Sequence, residues 1–195
     1  VSYPSAYKIT VDAAALVPIQ QWHLPGEVTR HLSTEDGLVD EFYDFMQRFH
    51  ATQHGMTLPA RSTYDWIFKD YERWMAFARV DGEIVGVMNY GVKPYLGPMD
   101  VGRMLWTTMA GRALMLEWIA RHVDHVGEVT IHQVPPDTNP RTWLADTQIK
   151  VKLESAPMAR LVDILGLNGM PAGPGQVMIA LQDPYLPAHE GPYSL

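Results

Sequence analysis

The sequence predicts a mixed α/β fold in which helices flank a sheet of antiparallel and parallel strands. Residues 74–93 form two strand-like runs around Asp81 and Gly82, a dipeptide typical of two-residue hairpin turns. Residues 111–127 carry apolar side chains at helical spacing, and residues 128–134 alternate as a strand. Because a strand, a helix and a further strand follow the hairpin in this order, a crossover connection is expected to place parallel strands in one sheet.

Two helices are predicted ahead of the hairpin. The first lies within residues 32–55, where six apolar residues recur on one helical face: Leu38, Val39, Phe42, Phe45, Met46 and Phe49. Ser33 is its predicted start, since serine is a favoured residue at a helix N-terminus. The second helix is predicted over residues 61–74, entered through Ser62 or Thr63.

Further strands are predicted on both sides of these helices. Alternating runs stand at residues 6–10, 103–109, 148–154 and 158–165. The chain closes with a predicted hairpin, in which a strand at Val177–Leu181 is followed by a turn rich in proline and glycine and by a returning strand from Tyr193. Because that strand stops at Leu195, we expect the sequence to be a piece of a longer protein.

Composition narrows the class of protein. A chain of 195 residues holds one domain, or one domain and part of another, and a hydrophobic content of 47% suits a packed core. The net charge of −7 argues against nucleic-acid binding through phosphate contacts. The chain has no cysteine, which excludes disulfides and thiolate chemistry. No apolar run reaches the length of about 18 residues that predicts a membrane-spanning helix, so we expect a cytoplasmic protein.

The common catalytic motifs are not found in the sequence. His50 and His54 stand one helical turn apart, but Ala51 occupies the place where a metalloprotease helix carries its glutamate. We therefore interpret this pair as a polar helix end and predict no metal site. The chain contains no G-x-S-x-G, no Walker loop and no G-x-G-x-x-G, so neither a serine nucleophile nor a phosphate cradle is predicted.

Trp143 and Asp146 are the candidate ligand-binding residues. They stand three apart, directly after the proline-rich stretch 135–140, at a predicted domain boundary. Clefts between domains are common ligand sites, and an aromatic ring with a carboxylate suits a ligand that bears an amine. The alternative is that Trp143 fills an interdomain contact and Asp146 caps a turn.

The order of several segments resembles the enhanced intracellular survival (Eis) family of GNAT N-acetyltransferases. The stretches that carry the resemblance are "FYDFMQRFHATQHGMTLPARSTYDW", "WMAFARVDGEIVGVMNYGVK", "VPPDTNPRTWLADTQIKVKL", and "MARLVDIL" followed by "GQVMIALQDPYLPAHEGPYSL". Proteins similar to this have a catalytic GNAT domain, a second GNAT-like domain without a cofactor site, and a sterol-carrier-like domain. The resemblance implies that residues 1–10 are either the end of a catalytic domain that is absent from this chain or the link that follows that domain. It assigns residues 11–146 to the degenerate GNAT-like domain and residues 147–195 to part of a sterol-carrier-like α+β domain.

The resemblance also implies an activity, namely acetyl transfer from acetyl-CoA to a primary amine of a small or polycationic acceptor. The family's acetyl-CoA loop, Q/R-x-x-G-x-G/A before a helix, is not found here, so the cofactor site and the catalytic residues are expected outside this chain. Trp143 and Asp146 would hold the cationic amine near the mouth of the substrate cleft. The alternative is a non-catalytic module of sterol-carrier type that binds lipid or assists assembly. A homo-oligomer is expected from the family, and no metal or nucleic-acid partner.

Overall fold

The chain divides into two compact units. A computed structural model describes residues 4–52, 58–134, 139–143, 149–155, 163, 165–167 and 178–194. The larger unit is Ser2–Ala156, and most of the smaller one is Pro157–Leu195. This division lies beyond the boundary predicted between residues 146 and 147, because the strand Lys150–Ser155 pairs within the sheet of the larger unit.

The larger unit is built on a seven-stranded mixed sheet with helices on both faces. In sequence order its elements are β1 (Pro4–Asp12), β2 (Glu27–Leu32), α1 (Leu38–His50), α2 (Arg61–Asp70), β3 (Trp74–Val80), β4 (Glu83–Val92), β5 (Met99–Trp106), α3 (Met109–Ala120), β6 (Glu128–Val134) and β7 (Lys150–Ser155). The strand order in the sheet is β2-β3-β4-β5-β6-β1-β7, with β5 and β6 parallel and the other neighbours antiparallel. The predicted mixed α/β fold is confirmed.

The predicted hairpin is β3 and β4. Asp81 has φ 51° and Gly82 has φ 81°, so both turn residues are left-handed, as a type I′ turn requires. This turn matches the right-handed twist of the two strands. A local sequence signal therefore sets the pairing of β3 with β4 next to the turn, up to the register shift between Ala78 and Arg79.

One face of the sheet is covered by α1 and α2. The predicted face of α1 is confirmed, since Leu38, Phe42, Phe45, Met46 and Phe49 are all buried. They pack against side chains of α2 and of the central strands, among them Tyr64, Phe68, Met75, Phe77, Val87 and Leu105.

The residues predicted to begin the two helices, Ser33 and then Ser62 or Thr63, are not their N-terminal caps. Gly37 precedes α1 and Ala60 precedes α2, and neither provides a side-chain cap. Ser33 is instead buried between elements, where its hydroxyl lies 3.2 Å from the carbonyl oxygen of Phe68 and accepts from the amide of Arg73 at 3.0 Å. The serine thereby ties the loop before α1 to the end of α2.

The other face is covered by α3 and by a 3₁₀ helix at Ala13–Gln21. Thr108 caps α3, because its hydroxyl accepts from the amide of Gly111 at 3.1 Å. A Cβ on Gly111 would lie 2.2 Å from the backbone oxygen of Val85. Only glycine therefore allows the first turn of α3 to approach β4 this closely.

The smaller unit contains an antiparallel pair, β8 (Met178–Leu181) and β9 (Gly191–Ser194). This confirms the predicted hairpin. A short 3₁₀ turn at Pro187–His189 lies between the two strands. The strand predicted at residues 158–165 falls almost wholly outside the described residues, so it stays a prediction.

No helix among the described residues is long and apolar enough to cross a membrane.

Candidate functional site

The two parallel strands of the sheet separate after a short stretch of pairing. β5 and β6 pair at three positions, from Met99 with Val129 to Val101 with Ile131. Beyond this point both strands continue, but they no longer pair with each other. In α/β sheets, ligands commonly bind outside the carboxyl ends of the strands, where neighbouring strands diverge.

A bulge on β5 coincides with this separation. On β4, Asn89 lies opposite Arg103 and Tyr90 lies opposite Val101, so Gly102 is the extra residue of β5. A Cβ on Gly102 would lie 2.6 Å from Nδ2 of Asn89. The glycine therefore leaves room for the Asn89 amide at the point where the strands part. Bulges are frequent next to active sites, because they redirect neighbouring side chains.

A second bulge lies directly beside the first, on β6. Tyr7 of β1 pairs with Val134 and Ile9 pairs with Ile131, so His132 and Gln133 together oppose a single residue of β1. Gln133 has φ 54°, a left-handed conformation that is unusual for a residue other than glycine. Backbone strain of this kind concentrates at functional sites.

A cavity of about 570 Å³ opens at this position, on the face of the sheet covered by α1 and α2. Its apolar wall comes from the helices and the neighbouring strands: Phe42, Tyr64, Ile67, Phe68, Met75, Val87 and Leu105. Burial raises the pKa of Tyr64, although the positive charge of Arg103 partly opposes this effect. Tyr64 therefore presents a neutral phenol near neutral pH.

The polar wall of the cavity comes from the strand ends. It includes Asn89, Arg73, Arg103, His132, Gln133 and Glu154. Nε of Arg103 donates to Oε1 of Gln133 at 3.0 Å. Neither Arg73 nor Arg103 forms an ion pair with a carboxylate in the part of the chain that the structure describes.

A shallower hollow adjoins the cavity and shares Arg73, Asn89, Gly102 and His132 with it. Nε2 of His132 lies 3.7 Å from Oδ1 of Asp100 in this hollow. His122 and His125 also line it. Even so, no group of three or more metal-ligating side chains is found among the described residues.

Trp143 lies in the other core, on the α3 side of the sheet. It is 6% exposed, and its ring packs edge-on against Trp106 with the ring centroids 5.3 Å apart. The guanidinium of Arg112 lies 5.0 Å from the centre of the Trp143 ring. Burial lowers the pKa of Arg112, and within the described residues Nε of Arg112 and Nε1 of Trp143 have no hydrogen-bond partner.

The start of α3 does not fit the glycine-rich cradle that the sequence resemblance implies for acetyl-CoA. The side chain of Thr108 already accepts from an amide of the first turn, and Gly111 is required for packing against Val85. The neighbouring Arg112 lies within about 6 Å of the ring centres of both Trp106 and Trp143. No cofactor contact is therefore assigned to this part of the chain.

The structure places Trp143 away from the cavity. Trp143 is not among the residues that line it, and Asp146 and His54 lie outside the described residues. Sequence reasoning missed Arg73, Arg103, Gln133 and Glu154. Gly102 inside a strand pattern was the available signal, because an isolated glycine there often marks a bulge.

The chain matches no protein-family model and no curated protein sequence. Its structure is similar to a conserved protein of unknown function from Enterococcus faecalis V583, described as a probable N-acyltransferase, with a TM-score of 0.78 and 15% identity over 99% of this chain and 50% of that chain. It is also similar to a GCN5-related N-acetyltransferase from Kribbella flavida, with a TM-score of 0.68 and 17% identity over 99% of this chain and 47% of that chain. A GCN5-related N-acetyltransferase from Anabaena variabilis ATCC 29413 gives a TM-score of 0.70 and 9% identity over 99% of this chain and 51% of that chain.

The chain has the fold of these GCN5-related N-acetyltransferases. It spans about half the length of each of the three structures.

Proposed function

We propose that this chain is part of an N-acyltransferase that transfers the acetyl group of acetyl-CoA to a primary amine. The acceptor would bind in the cavity beside β5 and β6. The observation that carries the proposal is the coincidence of three features at one place: the separation of two parallel strands, a bulge on each of them, and a cavity of about 570 Å³. A cavity of this volume suits a small molecule.

The chain's share of the reaction is to bind and orient the acceptor. In the transfer, the amine nitrogen forms a bond to the thioester carbonyl carbon, the carbon–sulfur bond breaks, and the thiolate of CoA leaves. The nitrogen gives up a proton, so the products are an amide and the CoA thiol. Orientation of two reactants can account for a large part of such a rate enhancement. We propose that acetyl-CoA and the groups that move the proton belong to other parts of a longer protein.

The test uses the full-length native protein with acetyl-CoA and two amines, spermidine and lysine. Release of the CoA thiol is followed over time, and the acetylated amine is identified by mass spectrometry. In the variant Ile67→Trp, a larger side chain occupies the cavity wall, so we expect the KM for the amine to rise about ten-fold or more. Lys69→Trp, on the exposed side of the same helix, is the matched control and leaves the KM unchanged.

Two results would contradict the proposal. One is the absence of acetyl transfer to either amine by the intact protein. The other is active enzyme in which Ile67→Trp and Lys69→Trp have the same KM, because the acceptor would then bind elsewhere.

A further inference from the structure

The cavity contains two arginines that lack the partners found for other arginines of this chain. Four other arginines each pair with a carboxylate: Arg48 with Glu83, Arg61 with Asp40, Arg79 with Glu41, and Arg121 with Glu117. Among the described residues, Arg73 and Arg103 have no such pair, although the chain as a whole carries a net charge of −7. Within the same described residues, Arg30, Arg112 and Arg141 have none either, but they do not line this cavity. Two arginines without a carboxylate partner therefore line one cavity of an acidic protein.

The guanidinium of Arg103 is held in place by a strained residue. Gln133 adopts φ 54° at the β6 bulge, and its side-chain oxygen accepts from Nε of Arg103 at 3.0 Å. This contact leaves the two terminal nitrogens of the guanidinium without a protein partner among the described residues. An arginine fixed through Nε presents its remaining donors in a planar array that matches a carboxylate.

The polar wall also has an acidic end. Glu154 on β7 is the one carboxylate side chain among the described residues that line the cavity. Three strand spacings separate β5 from β7 in the sheet, and β5 and β6 part beside the cavity, so the two strands lie at least roughly 14 Å apart at about 4.8 Å per paired spacing. The arginines and Glu154 therefore contribute opposite charges to separate parts of the cavity wall.

We propose that Arg73 and Arg103 bind a carboxylate group of the acceptor, and that Glu154 faces its amine. The acceptor is then an amino acid in which several bonds separate the amine from the carboxylate, as in lysine or 6-aminohexanoate. Gln133 is a positioning residue, which acts through Arg103. This inference rests on the proposed function for the acceptor role, whereas binding of the carboxylate can be measured independently of it.

The test measures binding to the full-length native protein by isothermal titration calorimetry, without acetyl-CoA. The probes are 6-aminohexanoate, hexylamine, which keeps the amine but lacks the carboxylate, and inorganic phosphate. We expect 6-aminohexanoate to bind about ten-fold or more tightly than hexylamine, and more tightly than phosphate, since hydrogen bonds between charged groups give discrimination of this order.

Substitutions assign the effect to residues. Arg73→Gln and Arg103→Gln should each weaken binding of 6-aminohexanoate about ten-fold and leave hexylamine unchanged. Gln133→Met, which keeps the size of the side chain but not its acceptor, should give a smaller loss for 6-aminohexanoate alone. Arg141→Gln removes the same charge from an exposed position outside the cavity and should have no effect. Thermal unfolding of each variant verifies that it is folded.

Three results would overturn the inference: equal affinity for 6-aminohexanoate and hexylamine, a preference that survives in the double variant of both arginines, or tighter binding of phosphate than of 6-aminohexanoate. Failure of the inference and failure of the proposed function give different results. Acetyl transfer to amines with no preference for a carboxylate keeps the function and overturns the inference. If the protein binds 6-aminohexanoate through the arginines but transfers no acetyl group, the inference is kept and the proposed function is overturned.

Discussion

The two faces of the seven-stranded sheet are packed in different ways. On the α3 face, small and aliphatic residues bring the helix against the sheet, with Gly111 against β4 and Met115 and Ile119 fully buried. On the α1/α2 face, aromatic rings cover the middle of the sheet, but the packing gives way to a cavity at the strand ends. Tight packing contributes stability, whereas the open edge provides room for a ligand.

The strands β5 and β6 contribute different kinds of side chain to the two faces. On the α3 face, Trp106 at the end of β5 contacts Arg112 and Trp143. On the opposite face the same strands contribute Arg103 and Gln133 to the cavity. We infer that the α3 face mainly holds the sheet together and that the α1/α2 face carries the site. Four predictions test this contrast.

The largest expected effect is that of Trp143→Ala. Because Trp143 is buried against Trp106 and Arg112, its removal leaves a cavity and should lower the free energy of unfolding by about 3–5 kcal/mol. Trp66→Ala is the matched control, since that ring is 55% exposed, and it should lower stability far less. Urea denaturation measures both. A stable Trp143→Ala protein with weakened amine binding would instead support the binding role predicted from sequence.

The second prediction concerns the approach of α3 to the sheet. Gly111→Ala places a Cβ against the backbone oxygen of Val85, which cannot move aside as a side chain can. The free energy of unfolding should fall by about 1–3 kcal/mol, despite the higher helix propensity of alanine. At Gly91 an added Cβ meets nothing within 4 Å, so Gly91→Ala serves as the control. Equal urea midpoints for the two variants would show that the α3 face is not closely packed here.

The third prediction concerns Gly102, on the open face. In Gly102→Ala the new Cβ meets the end of the flexible Asn89 side chain, which can rotate away. We expect a loss of stability below about 1 kcal/mol, together with a changed affinity for the acceptor because Asn89 lines the cavity. Comparison of urea midpoints and KM values with those of Gly91→Ala tests this. If Gly102→Ala loses as much stability as Gly111→Ala, the α1/α2 face is packed as tightly here as the α3 face.

The smallest expected effect is a dependence of stability on alkaline pH. Burial raises the pKa of Tyr64 on one face and of Tyr90 on the other, so the folded protein favours the neutral phenol at both positions. This stabilisation is fully present below the ordinary tyrosine pKa of about 10 and is lost as pH rises through the higher folded pKa. Tyr64→Phe and Tyr90→Phe should each flatten the fall of the urea midpoint above about pH 10.

The exposed Tyr71→Phe variant controls for the removal of a surface phenol. If Tyr64→Phe and Tyr90→Phe retain the alkaline loss of the parent protein, burial of these two rings does not account for it.

Local signals in the sequence determined most of the fold. The Asp81–Gly82 turn, the apolar face of α1 and the alternation in the strands each depend on residues close together in the chain, and each was predicted. The cap of α1 was not, because Ser33 hydrogen-bonds to a residue 35 positions away instead of capping the helix. A serine hydroxyl can cap its own helix or bond to residues distant in the chain, and the sequence alone does not show which of these occurs.

Only the tertiary structure decided where the candidate site lies. Arg73, Arg103, Gln133 and Glu154 come from four separate strands or strand ends, and no spacing in the sequence connects them. Their convergence depends on the parallel pairing of β5 and β6, on two bulges and on the strand order, which are all long-range properties. The sequence determined the elements and their apolar faces, because these depend on neighbouring residues. Pairing between distant strands decided which side chains share a cavity.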